Sequence, residues 1–165
     1  MGPQLRVLFC GINPGLYSAW TGHHFARPGN RFWPALHDSA FTPRRLLPAE
    51  QEQLPALGLG ITNVVARATA RAEELTREEV LAGGRLLAAK ARRLQPRWLA
   101  VLGVTAYRVA FEAPKAVVGP QETVLGSTRV WVVPNPSGLN AHWSAAALAE
   151  ELGRLRLAAD GCSRP

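Results

Sequence analysis

The chain has 165 residues, 47% of them hydrophobic, which suits one domain over residues 1–165 with a real core. No apolar run approaches the ~20 residues of a membrane span, and Leu5–Ile12 is too short and too interrupted, by Arg6, for a secretory leader. The net charge is +7 and the isoelectric point about 10.7, which suits a polyanion partner as well as a basic solvated surface.

Charge is uneven along the chain: +4 over residues 1–45, −3 over 46–79, +6 over 80–131 and balanced beyond. Two cysteines, Cys10 in an apolar run and Cys162 in a polar tail, make neither a disulfide framework nor a Cys-x-x-Cys zinc site. His23, His24, His37 and His142 lack metal-ligand spacing. A cytoplasmic protein without metal or cofactor is expected.

In chain order, Arg6–Gly11 is a short β-prone run, a buried strand. Asn30–Ala40 reads as a helix with Phe32, Leu36 and Ser39-Ala40 on one side, Pro34 falling in its first turn. Phe32 and Trp33 are expected in the core. Pro48–Leu57 suggests another short helix, and Gly60–Val65 a second strand. Thr76 and Glu79 form a capping-box pattern before a helix whose stripe is Val80, Leu87, Ala91 and Leu94.

Trp98–Gly103 is a third strand, followed by a short helix over Thr105–Glu112. Thr123–Leu125 is a weaker strand candidate that Gly126-Ser127-Thr128 turns into Arg129–Pro134. The last helix spans Ser144–Ala158 with Leu148, Leu152 and Leu155 on one face, and the chain frays from about Asp160. Alternating strands and helices predict an α/β fold: a single three-layer αβα domain around a central, mostly parallel sheet of four to five strands.

Function in such a sheet lies outside the carboxyl ends of the strands. That rim collects "GINPG" (Gly11–Gly15), Thr62-Asn63 and "PNPSGLN" (Pro134–Asn140). There is no Gly-Lys of a phosphate loop, no G-x-G-x-x-G and no G-x-S-x-G elbow. Instead two strands each end in Asn-Pro, at Asn13-Pro14 and Asn135-Pro136, with Gly15 and Gly138 allowing close backbone approach. Asn-Pro also starts ordinary turns. "TGHHFARPGNRFW" (Thr21–Trp33) is loop-like yet aromatic, and its Phe25 is either a core plug or a stacking platform for a base. Asp38, the only carboxylate before Glu50, is either a surface residue of its helix or an auxiliary group acting through water near the site.

These three ordered motifs, with "GITNVV", "AGGRLL" and "GSTRVWVVPNPSGL" in sequence, resemble the mismatch-specific uracil-DNA glycosylases. That family stands with the thymine-DNA glycosylases in the uracil-DNA glycosylase superfamily. The resemblance implies a monomeric, monofunctional, metal-free enzyme of base excision repair, nucleoid-associated if bacterial. It would flip uracil, or thymine or another damaged pyrimidine, mispaired with guanine, out of double-stranded DNA and hydrolyse its N-glycosidic bond to leave an abasic site.

By the same resemblance, Asn13 holds the attacking water, Phe25 and Ile12 cover the two faces of the base, and Asn135 makes polar contact in the pocket. Ser18 sits near C5 of the base. Thr62 and His24 match the thymine-processing branch. The loop Ser137, Gly138, Leu139, Asn140 enters the duplex, with Leu139 as the wedge. Some members carry an arginine where this chain has Ala141, for which His142 or Arg31 could substitute. The alternatives are a non-catalytic binder of mismatched or damaged DNA on the same fold, and a small-nucleotide enzyme using the same rim.

Overall fold

The computed structural model describes residues 5–161. Five strands form one sheet in the order β2-β1-β3-β5-β4: β1 Val7–Gly11, β2 Leu59–Asn63, β3 Trp98–Leu102, β4 Gly119–Leu125 and β5 Thr128–Val133. The first four in that order run parallel, and only β4 runs antiparallel to its neighbour β5. Among the described residues, five α-helices flank it: α1 Leu16–Thr21, α2 Phe32–Asp38, α3 Arg77–Leu94, α4 Val104–Ala110 and α5 Ala145–Gly161. None of the helices among the described residues is long and apolar enough to cross a membrane.

Every residue of β1 and β3 is buried, because helices cover both faces of the sheet. The two-residue period sorts them. Val7, Phe9, Trp98, Ala100 and Leu102 join Phe32, Leu36, Leu148, Leu152 and Leu155 beneath α2 and α5. Leu8, Cys10, Leu99 and Val101 join Val80, Leu87, Ala91 and Tyr107 beneath α3 and α4. A Cβ on Gly83 would stand 2.2 Å from the Val64 carbonyl oxygen, and one on Gly84 2.3 Å from that of Ala110. The "AGG" of α3 is therefore where the helix meets the chain leaving β2 and the end of α4.

Several elements differ from the sequence reading. Residues 48–57 form two 3-10 segments, Pro48–Gln53 and Pro55–Leu57, because Pro55 has no N–H to continue a helix. Leu94 lies outside the α3 stripe and is exposed. β4 begins at Gly119; its polar, alternating face and Pro120 are tolerated at a sheet edge, with a register shift between Pro120 and Val124. α1 was not foreseen: it buries none of its residues, and Tyr17 and Trp20 face outward, so no apolar stripe marks it.

α5 continues through Asp160 rather than fraying there. The Asp160 carboxylate accepts from Arg6 at 2.6 Å and from Arg156 at 3.1 Å. Cys162 lies outside the described residues. Glu151 is buried in α5, where one carboxylate oxygen accepts from Trp131 Nε1 at 3.0 Å and the other from Arg154 at 2.5 Å.

Candidate active site

The carboxyl ends of β1, β2, β3 and β5 open into a recess of about 190 Å³. It continues into a broader groove of about 830 Å³ walled by the start of α4 and the loop after β5. Ile12, Arg27, Asn135 and Ser137 border both.

Asn13 leaves the end of β1 half-buried, and its carboxamide is held at one end. Asn13 Nδ2 donates to the Arg67 carbonyl and to Thr69 Oγ1, each at 2.8 Å. A carbonyl can only accept, so the nitrogen end must face it, and Oδ1 is left on the other side of the amide. Arg67 is itself fixed. Its guanidinium meets Glu79 at 2.7 and 3.0 Å and the Glu74 carbonyl at 3.2 Å. Glu79 is the capping-box residue of α3, bonded to the Thr76 backbone, and Arg67 beside it holds its carboxyl down at about 2. Thr69 is buried and pairs with Gly15 as an isolated parallel bridge.

The aromatic wall comes from the loop after α1. Phe25 takes φ of 51°, in the left-handed region, and its ring rests on Phe32 with centroids 4.3 Å apart. The core supports one side of the ring while the residue still lines the recess. Gly11 gives the ring its room. A Cβ there would stand 3.2 Å from Phe25 Cζ and 2.7 Å from Asn63 Oδ1. Ile12 forms another wall and presses on Gly103, where a Cβ would lie 3.3 Å from Ile12 Cδ1.

His24 and Ser18 also border the recess. Burial lowers the His24 pKa, which keeps the imidazole neutral near pH 7. The His24 backbone is pinned by Gln51 Oε1, which accepts from its N–H at 2.8 Å, and by Trp33 Nε1, which donates to its carbonyl at 2.9 Å. Ser18 Oγ accepts from the Ala26 N–H at 3.1 Å and so ties α1 to the aromatic loop.

At the end of β5 the asparagine turns back on its own chain. Asn135 Oδ1 accepts from the Ser137 N–H at 2.9 Å, Ser137 Oγ from the Leu139 N–H at 3.2 Å, and Asn140 Nδ2 donates to the Asn135 carbonyl at 3.0 Å. These turns present Leu139 with 76% of its surface exposed. Gly138 is required for packing, since a Cβ would stand 2.5 Å from the Gly29 carbonyl oxygen; Gly15, by contrast, faces open space.

The structure therefore brings Ile12, Asn13, Ser18, His24, Phe25, Asn135 and Ser137 to one recess, with Leu139 and Asn140 on the adjoining groove. Gly138 borders neither cavity but packs the same loop against Gly29, and Thr62 and Asp38 are not brought there at all. Thr62 pairs with Cys10 on the α3 side of the sheet, where its hydroxyl accepts from Lys90 Nζ at 2.8 Å. The next residue along the strand, Asn63, faces the recess instead. Asp38 is exposed at the end of α2 and is not among the residues lining either cavity.

Thr69 is a site residue the motif reading passed over, and Asn63, though placed on the rim beside Thr62, was given no role there. Strand alternation, with Cys10 assigned to the apolar α3 face, is the signal that would have placed Asn63. Thr69 sits in a loop and has no comparable signal. Among the described residues, no group of three or more His, Cys, Asp or Glu could hold a metal ion. Burial pushes the Cys10 thiol pKa up, so it is an inert core group.

The recess thus combines an amide anchored at one end, a supported aromatic face, carboxamides and an exposed apolar loop, with no charged nucleophile among its lining residues. The sequence as a whole agrees with that content: a model of the Uracil DNA glycosylase superfamily matches residues 1–156, so the chain belongs to the uracil-DNA glycosylase superfamily, whose members are DNA glycosylases.

Proposed function

We propose that the protein is a monofunctional, mismatch-directed glycosylase that acts as a monomer on uracil, and on thymine or other damaged pyrimidines, opposite guanine in duplex DNA. The observation that carries this reading is the anchored Asn13 amide in the same recess as Phe25, joined to a groove edged by Leu139.

The flipped pyrimidine lies on Phe25 with Ile12 across from it, and Asn63 and Asn135 offer carboxamides to its polar edge. Leu139 fills the space the base leaves in the stack. As the N-glycosidic bond breaks, its electron pair goes to the base and positive charge grows on the sugar. Asn13 Oδ1, fixed by the grip on its nitrogen, accepts a hydrogen bond from the water whose oxygen bonds to C1′. That water's proton passes to solvent. An amide has no useful pKa, so Asn13 orients the water and does not deprotonate it. The rate then rests on preorganised dipoles around the separating charges. The neutral His24 adds no positive charge beside the sugar.

The test is duplex oligonucleotides carrying G·U, A·U, G·T or a normal pair, incubated with the protein and then with alkali, beside a base-release assay on free deoxyuridine. A strand break at G·U above that at A·U is the expected result. Tight binding without base release would favour the non-catalytic binder, and release from free deoxyuridine alone would favour the nucleotide enzyme.

A further inference from the structure

Arg31 was a candidate for reaching the opposite DNA strand in place of the residue at Ala141. Its guanidinium is committed elsewhere. One nitrogen donates to the Trp143 carbonyl and, at 3.3 Å, to the Asn140 carbonyl; the other donates to the Gly138 carbonyl at 3.4 Å. The Arg31 N–H donates to the Pro136 carbonyl at 2.9 Å. One residue therefore gathers four carbonyls of the 136–143 loop, from both sides of Leu139. The Gly29–Gly138 contact described above lies beside this clamp.

Arg31 immediately precedes α2, whose Phe32 supports the Phe25 ring. The wedge loop and the aromatic wall of the recess are thus tied to the same two consecutive residues. A planar guanidinium can serve several carbonyls at once, which an ammonium cannot do from one position.

We propose that Arg31 is a positioning residue that holds Leu139 at a fixed height and angle to the recess, so that entry of the wedge into DNA and seating of the base occur in one rigid frame. This rests on the wedge reading of Leu139 given above. Arg31 acts through Leu139 and touches no DNA base.

The test is a double-mutant cycle on G·U duplex cleavage with Arg31→Ala, Leu139→Ala and the double variant. Arg31→Ala lowers single-turnover cleavage by roughly tenfold, the scale of lost charge-assisted hydrogen bonds. In the Leu139→Ala background the same change has little further effect, and Arg31→Lys falls between wild type and Arg31→Ala. Additive losses in the cycle would overturn the proposal.

Hydrogen exchange of the loop amides is the second arm. Arg31→Ala speeds exchange over residues 137–142 while the β1 and β3 amides keep their protection. Unchanged exchange in the loop overturns the proposal even if the protein proves not to cleave DNA. Wild-type inactivity on every mispair, with loop exchange that does depend on Arg31, would sink the glycosylase reading and leave the clamp standing.

Discussion

The Asn13 carboxamide nitrogen lies 2.8 Å from the Thr69 hydroxyl, and that hydroxyl donates onward to the Arg71 carbonyl at 2.7 Å. The threonine oxygen therefore accepts from Asn13 and spends its own proton on the backbone. With the Arg67 carbonyl as second acceptor, the amide is held so that its oxygen faces away from both.

Thr69→Val keeps the shape and removes one of the two anchors. It is expected to lower kcat on G·U duplex by roughly two- to tenfold with KM little changed, since one hydrogen bond is worth about 0.5–1.5 kcal/mol. Thr69→Ser should retain most turnover. Asn13→Ala should lose roughly 100- to 1000-fold while still binding duplex, the range seen when one preorganised polar group is removed. Single-turnover kinetics with a separate binding titration check both. A Thr69→Val enzyme as fast as wild type would mean that the anchor does not set the amide.

Gly11 tests the slot from behind. Its added methyl would meet Asn63 Oδ1 at 2.7 Å and the Phe25 ring edge at 3.2 Å. Overpacking of this kind costs about 1–3 kcal/mol, so Gly11→Ala should lower the melting temperature and weaken cleavage together. The Asn63 side chain is the closer obstacle. Gly11→Ala with Asn63→Ala should therefore melt higher than Gly11→Ala alone. A lower melting temperature in the double variant would show that the ring, not the amide, carries the strain.

How far the sequence disclosed the site follows from periodicity. The parallel core was legible because β1 and β3 are wholly buried runs that stay apolar at every position, and β5 reads the same way from Val130 to Val133. The two Asn-Pro turns were legible because strand ends in this fold converge on one rim. Thr62 was misplaced by a single residue, and in a strand one residue is the whole difference between faces. The Arg67–Thr69 anchor and the Arg31 clamp were not legible. Both join residues distant in the chain, and both use backbone carbonyls, which carry no sequence signal.

His24 gives the site a pH signature. Burial lowers its pKa below the usual 6.5, so between 6.5 and the lowered value the unfolded chain binds more protons than the folded one. Stability then rises with pH across that window and falls on acidification through it. His24→Gln should flatten this slope, measured as the difference in denaturant midpoint between wild type and variant at several pH values below 7. Equal slopes would remove His24 as the cause.

Thr62 and Asn63 are adjacent in β2 yet face opposite sides, and the pair separates packing from recognition. Thr62→Val removes the acceptor of Lys90 Nζ beneath α3. The half-buried ammonium can turn toward water, so the cost is expected to stay within about 1.5 kcal/mol. Cleavage of G·U duplex should be unchanged, because the hydroxyl does not border the recess. Asn63→Ala should do the reverse, leaving the melting temperature close to wild type and weakening base release, because its carboxamide faces the slot beside Phe25. Melting curves and single-turnover rates on the two variants decide it. A Thr62→Val enzyme that folds normally but loses discrimination among pyrimidines would put the hydroxyl back in the site, through a rearrangement of β2 when DNA is bound.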